Sequence, residues 1–419
     1  MLVQFTVENY RSIKDAVTFS MLADKKDTKN LFTQRNYNLL TSSIFYGANA
    51  SGKSNMLSAF SFMKNIVLNT TKVMQSIDTL PYEPFRLSTE TEHAPSSFEM
   101  VFFINTIKYR YGFESDSTTV YAEWLFADEK GKEAKLFYRD IQENEFSVNG
   151  EKFKEGKNLK VLENSLFLWK CDQDGGQISK SIMQWFSNLN FIDGTNDSGY
   201  VNFALNKMNE EKFKSTIVKL VSTVDLGIND IKIKKEDLVI ENTEKENLPL
   251  YVKNLLPEGK GTLIATTVTT QHKKYDESNT AIGIENFNLI LEESQGTRKY
   301  FSISAPILDT LLNGKILVID EFDASFHPYL TKSLIALFNN PEINVNNAQL
   351  IFATHDLNLL DQNIFHKSQI WFTEKDMFGA TETSSLLAFK NVRTRDNIER
   401  DYLKGKYGAV PNISDFNWD

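Results

Sequence analysis

Cysteine is almost absent from this sequence: of 419 residues, Cys171 alone carries a thiol. One thiol cannot build an internal disulfide framework or the cysteine cluster of a structural zinc site. Histidine is scarce too, and His93, His272, His327 and His366 show no metal-ligand spacing. No apolar run reaches the roughly 18 residues that a membrane span needs, so no bilayer crossing is expected. The opening stretch MLVQFTVENYRSIK lacks the basic, apolar and cleavage segments of an export signal. Repeats, low-complexity tracts and sustained heptads are missing, which excludes solenoids and long coiled-coil arms. Basic charge is not in excess: 46 Lys and Arg stand against 55 Asp and Glu, a net charge of −9. That balance excludes a protein basic all over but leaves room for a local basic groove. The expectation is a soluble, cytoplasmic protein of two or three domains, with 41% hydrophobic residues to fill real cores.

Val3, Phe5 and Val7 alternate with Gln4, Thr6 and Glu8, the period of a half-buried strand. Residues 17–21 repeat that character after a turn. The apolar run 43–46 enters a glycine-bearing loop, and Met56, Phe60, Met63 and Val67 then recur at helical spacing, predicting a helix over 52–69. Residues 97–149 change to an antiparallel β section, with hairpins pairing 98–104 with 108–113 and 120–126 with 135–139. Between 155 and 260 the pattern is fainter. Residues 185–192 and 210–224 carry helical periodicity, and 231–233 and 238–240 read as short strands around a charged turn. The chain then returns to α/β character: 315–320, 349–354 and 368–373 read as buried strands, and 330–338 as a helix. Three regions are expected, at 1–150, 151–260 and 261–419.

The sequence Gly47-Ala-Asn-Ala-Ser-Gly52-Lys53-Ser54 fits G-x-x-x-x-G-K-[ST] in full, between an apolar strand and a helix. Glycines let backbone N–H groups, Asn49 among the loop residues, curl around phosphate oxygens at a helix N-terminus. Lys53 is placed to hold β- and γ-phosphates, and the Ser54 hydroxyl to ligate Mg²⁺. The loop points to a nucleoside triphosphate, without saying which chemistry.

A second strand end is acidic. Asp320 and Glu321 close the apolar run 316–319, at the edge where α/β sheets keep their ligand crevice. Asp320 suits Mg²⁺, and Glu321 suits the orientation or deprotonation of an attacking water. His355 ends the next buried strand and is expected to reach a γ-phosphate. Upstream, Ser294 and Gly296 open a helix that Pro306 should kink and Gly314 should close. They form a second anion cradle, remote from Lys53, so a head-to-tail dimer would bring one copy's Ser294 and Gly296 to the other copy's γ-phosphate. A plain Ser helix cap is the competing reading.

Residues 9–12, 47–54, 293–297, 317–325 and 353–356 together resemble the ABC-type ATPases, closest to the SMC-like and OLD-like branch found in bacterial anti-phage systems. The tail 402–411 is similar to that branch as well. The resemblance implies an α/β fold: an ABC-type P-loop NTPase head, its mixed sheet flanked by helices, plus an antiparallel β section and a mixed α/β insertion in the middle. It implies ATP and Mg²⁺ as cofactors, nucleotide contacts from Arg11 and Ser12, a signature loop at Ser294 and Gly296, and hydrolytic carboxylates at Asp320 and Glu321. It makes His355 the switch histidine and Asp323-Ala-Ser325 a loop crossing a dimer interface. It further implies a self-associating ATPase, dimeric or larger, that regulates a separate nuclease or toxin effector. A DNA-repair or chromosome-maintenance ATPase and a non-catalytic ATP-gated scaffold are the alternatives. Gln75 stands in the region of the Mg²⁺-ligating Gln loop of such ATPases. Asp172-Gln-Asp174 has the look of a Toprim metal pair, but Gly175-Gly176 after it favours a turn. The basic run Lys390, Arg393, Arg395, Arg400, Lys404, Lys406 is offset by Asp396, Glu399 and Asp401, so it reads as a solvated helix face, with a partner or nucleic-acid surface as the alternative.

Overall fold

A computed structural model describes residues 1–68, 74–195, 198–223, 227–240, 261–324, 326–390, 392–393 and 396–410. Asn69, Val224, Ser325, Arg395 and Pro411, each part of a feature read from the sequence, lie outside the described residues. The chain divides into two compact units, one of Met1–Thr195 with Asp309–Asp419 and one of Asn196–Leu308. No helix among the described residues is long and apolar enough to cross a membrane.

In the first unit, alternating Val3, Phe5 and Val7 make β1 (Leu2–Glu8), which pairs with β2 (Val17–Ser20). A small hairpin of β3 (Leu31–Gln34) and β4 (Tyr37–Leu40) precedes β5 (Ser42–Tyr46), every residue of which is buried. Helix α1 (Lys53–Val67) follows. The expected hairpins are present as β6 (Ser96–Ile104) with β7 (Ile107–Ser115), and β8 (Val120–Asp128) with β9 (Glu133–Asp140). With β10 (Glu145–Val148) they complete a seven-stranded antiparallel sheet in the order β10-β9-β8-β7-β6-β1-β2. Two helices, α2 (Phe167–Gln173) and α3 (Gln177–Ser187), lead into β11 (Leu189–Asp193).

That last strand corrects the helical reading of 185–192. The helix stops at Ser187, and Leu189 to Asp193 pair in parallel with residues 316–320. Burial of Leu189 and Ile192 beside an apolar strand outweighs the local periodicity. The short apolar run could serve either element, and its neighbour decided.

The second unit holds α4 (Ser198–Lys207), α5 (Glu211–Ser222) and a three-stranded antiparallel sheet of β12 (Ile228–Ile240), β13 (Gly261–Tyr275) and β14 (Ala281–Asn288). Here the charged turn expected between two short strands does not exist. Lys234, Lys235, Glu236 and Asp237 continue one strand, opposite Thr267, Thr266, Ala265 and Ile264. Lys232 and Lys234 are exposed while Ile231 is fully buried, so these two lysines occupy the solvated side of a pleat. Helix α6 (Gln295–Asn313) contains Pro306 and ends at Gly314, whose φ of 59° is the left-handed geometry of a helix terminator.

Beyond it, β15 (Ile316–Asp320), α7 (Pro328–Asn339), β16 (Gln349–Ala353), β17 (Ile370–Lys375), β18 (Thr381–Ser385) and the short α8 (Ile398–Leu403) complete the first unit. The central sheet runs β11-β15-β16-β5-β17-β18; its first five strands are parallel and β18 is antiparallel. Helix α1 lies between the two sheets. Phe60 packs tilted against Phe5 of the antiparallel sheet, ring centroids 4.1 Å apart, and the helix also contacts β15 and β16. The buried Gln349 amide joins the sheets, accepting from Leu2 N at 2.6 Å and donating to Leu2 O and Leu40 O.

Two polar clusters brace this frame. Glu123 is fully buried in β8; its carboxylate accepts from the amides of Phe167 and Leu168 at the start of α2 and from Tyr111 OH, and lies 3.3 Å from Arg139 Nε. Glu123→Ala strands those donors and a buried guanidinium, so denaturant unfolding should show a loss of about 3–5 kcal/mol. The second cluster is His366, whose Nε2 accepts from the amides of Thr28 and Lys29 at 3.2 Å. Burial pulls its pKa below the ordinary value; Asp27 opposes this and Lys29 adds to it. The folded state therefore takes up the proton less readily than the unfolded chain. Stability should fall as pH drops below about 6.5, and level off once pH passes below the depressed folded value. Thermal melts from pH 8 to pH 5, with His366→Asn as the control that removes the slope, check this.

Candidate functional site

The glycine-bearing loop leaves β5 and enters α1 at the C-terminal edge of the parallel sheet. Gly52 sits at φ 108°, and no side chain caps the helix start. The first-turn amides are thus free to meet an anion, with the helix dipole behind them. A side chain at Gly52 would strike Thr381, whose Oγ1 donates to Ser51 O at 3.1 Å. Lys53 Nζ folds over the loop, donating to Gly47 O at 2.8 Å and Ala48 O at 3.1 Å. Burial lowers the Lys53 pKa, against the pull of the Glu321, Asp320 and Asp323 carboxylates. A buried ammonium on two backbone carbonyls is a cation readily transferred to phosphate oxygens.

A cavity of about 600 Å³ opens over this loop. Asn49, Gly52, Lys53, Ser54, Glu321 and His355, all singled out in the sequence, line it. Residues more than 260 positions apart in the chain meet there because β15, β16 and β5 are neighbours. Asp320 ends β15 and accepts from Glu321 N at 3.1 Å. Glu321 holds φ 52°, a left-handed conformation that side-chain-bearing residues avoid at a cost of about 1–3 kcal/mol. His355 Nε2 lies 3.6 Å from Glu321 Oε1, and His355 N approaches both Asp323 carboxylate oxygens at 3.3 Å.

Other expected residues stand apart from the cavity lining. Ser12 Oγ bonds Thr381 Oγ1 at 2.8 Å and accepts from Asn55 Nδ2 at 2.6 Å, so it braces the helix start from the side. Arg11 turns to an ion pair with Glu83 and donates to Ser58 Oγ at 3.0 Å. Ser294 and Gly296 lie in the second unit. There Ser294 Oγ accepts from Thr297 N at 3.1 Å, capping α6, and Glu293 is held by His272 at 2.8 Å. Gln75 is not among the residues that line the cavity; its backbone carbonyl accepts from Asn164 Nδ2. Asp172 belongs to α2 and Asp174 caps it, with Gly175 at φ 85° making the turn. Of the C-terminal basic run, Lys406 pairs with Asp401 at 2.7 Å and Arg400 lies 4.0 Å from it.

Sequence reasoning missed Lys375, which ends β17 and lines the same cavity, and Asn55 beside it. It also missed Thr381. Lys375 carried a usable signal: a cation just past the third buried strand falls on the ligand edge of the sheet. Thr381 carried none, because its role depends on which backbone it touches.

Among the described residues no group of three or more His, Cys, Asp or Glu could by itself hold a metal ion. Mg²⁺ bound beside phosphates needs only one or two protein ligands. Ser54 in the loop and Asp320 at the end of β15, two strands along the sheet from β5, are the residues that would meet that requirement.

A family model described as "AAA domain, putative AbiEii toxin, Type IV TA system" matches residues 42–361, well over half of the chain. No curated protein matches. Solved structures that match include the SMC head domain from Thermotoga maritima, at 11% identity, 92% of this chain, 98% of that chain and a TM-score of 0.40. The Smc head bound to the C-winged helix domain of ScpA matches at 11% identity, 92% and 97% coverage and a TM-score of 0.47. The Smc head with an extended coiled coil, bound to the C-terminal domain of ScpA derived from Pyrococcus furiosus, matches at 11%, 92%, 96% and 0.38. No residue role follows from likeness at this level. The mixed α/β architecture expected from the sequence is the one observed.

Proposed function

The chain belongs to the AAA-domain family of the putative AbiEii toxin, Type IV TA system kind, and from that premise we propose that it binds and hydrolyses ATP as an ABC-type ATPase. One observation carries this reading: a complete phosphate loop shares its cavity with a carboxylate and a histidine from the two neighbouring parallel strands. Lys53 would exchange its bonds to Gly47 and Ala48 for β- and γ-phosphate oxygens, while the amides of 52–55 receive the rest. Ser54 and Asp320 would hold Mg²⁺, which when bound neutralises phosphate charge. Glu321 orients or deprotonates the attacking water, and His355 contacts the γ-phosphate side.

The regulatory part of the reading rests on Ser294 and Gly296. A second copy's α6 N-terminus supplies anion-binding amides, so ATP would favour a closed head-to-tail dimer and ADP would lose most of that preference. Ser294→Arg should block ATP-driven closure and leave nucleotide binding in place, read by light scattering together with a distance probe across the interface. Closure and hydrolysis equal to wild type would leave Ser294 as a helix cap only. In this role the ATPase restrains or releases a separate nuclease or toxin in anti-phage defence. An adjacent nuclease or toxin gene supports that assignment, and an adjacent permease gene contradicts it.

A further inference from the structure

We propose that Gly194 is a positioning residue for Glu321, holding the turn that aims this carboxylate into the cavity; the proposal rests on the ATPase reading above. Gly194 follows the last residue of β11, where Asp193 lies opposite Asp320 in the parallel register. Its N–H donates to Asp320 O at 2.8 Å. A Cβ on Gly194 would press against Glu321 O, and would lie 2.7 Å from Asp320 O and 2.8 Å from the Glu321 carbonyl carbon. All three are backbone atoms, so no side-chain rotation relieves the contact. The glycine is there because the Asp320–Glu321 backbone runs directly against it.

On its far side the same turn is gripped by β16. Phe322 N donates to Ala353 O at 3.0 Å, and the Asp323 carboxylate receives His355 N. Glu321 keeps its left-handed φ of 52° between these two holds. An unfavourable backbone conformation persists only where its surroundings over-determine it. A methyl group at 194 must push the turn away from β11, and Glu321 moves with it relative to His355 and Lys53. The loop 47–54 leaves β5, two strands from β15 in the central sheet, so the push reaches it only through β16 and through α1, which touches β15 and β16. The predicted signature is therefore a split, with catalysis lost and binding kept.

Gly194→Ala in the full chain should bind ATP, titrated without Mg²⁺, within about twofold of wild type, since Lys53 and the loop amides do not lie against residue 194. Its single-turnover hydrolysis should fall roughly 10- to 100-fold, the scale that an ångström-sized misplacement produces. In a Glu321→Gln background the same substitution should cost almost nothing more, because the group it misplaces no longer acts. Unchanged hydrolysis in Gly194→Ala, losses that multiply in the double variant, or an affinity loss as large as the rate loss would each overturn the proposal. Should Gly194→Ala fail to fold, Asp193→Ala takes its place. It removes the acceptor of Thr195 N and Oγ1 at 2.9 and 2.7 Å that shapes this turn, and adds no atom. The same split is expected there, and wild-type hydrolysis in that variant overturns the proposal. Absence of hydrolysis in the wild type would instead remove the ATPase reading itself.

Discussion

Glu321→Gln is expected to bind ATP normally and to hydrolyse it ~10²- to 10⁴-fold more slowly, the range over which a positioned general base acts. Glutamine keeps the length and nearly the shape of the side chain, so the left-handed turn and the contact to His355 can persist. What it loses is the carboxylate's charge and basicity: the amide oxygen still accepts, but it cannot take a proton from water, and the NH₂ only donates. Asp320, one residue earlier and proposed to hold Mg²⁺, is unchanged, so binding should be spared. Lowering the rate alone marks an interaction made only in the transition state. The variant should accumulate in the ATP-bound form. Single-turnover hydrolysis measures this, and a near-normal rate would move the catalytic role to another residue.

Lys53→Ala is expected to weaken ATP binding roughly 100-fold or more, a loss on the scale of one or two charge-assisted hydrogen bonds. Two effects add. The β- and γ-phosphates lose their cation, and the loop loses the ammonium that bridges Gly47 O and Ala48 O. Helix-terminal amides alone would then face several negative charges in a partly buried cavity. Calorimetric titration reads the change directly. Unchanged affinity would place the nucleotide elsewhere on the chain.

The difference between Lys53 and Gly194 explains how much of this protein was legible in its sequence. Lys53, Ser54, Asp320 and His355 announce themselves, because each follows a buried apolar run and sits where α/β sheets bind ligands. The order of the parallel strands then brings their ends to one edge of the sheet, where Lys53, Ser54 and His355 line one cavity. The hairpins of the antiparallel sheet were equally plain, since period-two alternation and short turns define them locally. The strand β11 was not. Its five residues pair only with β15, more than a hundred positions downstream, so nothing local separates them from the end of a helix. Gly194, whose value lies in an absent side chain beside a distant backbone, was invisible for the same reason. The lysines of β12 misled in the opposite sense, since a solvated strand face carries the composition of a turn.

If this cavity cleaves a nucleoside triphosphate, the purified chain releases phosphate from ATP, and that release is the measurement to make. Wild type and Lys53→Ala are compared over a range of ATP concentrations, with Mg²⁺ and with excess chelator. Saturable release is expected in the wild type, dependent on Mg²⁺ and absent in the variant. Release that is equal in both proteins, or no release above background from the wild type at any ATP concentration, would contradict it.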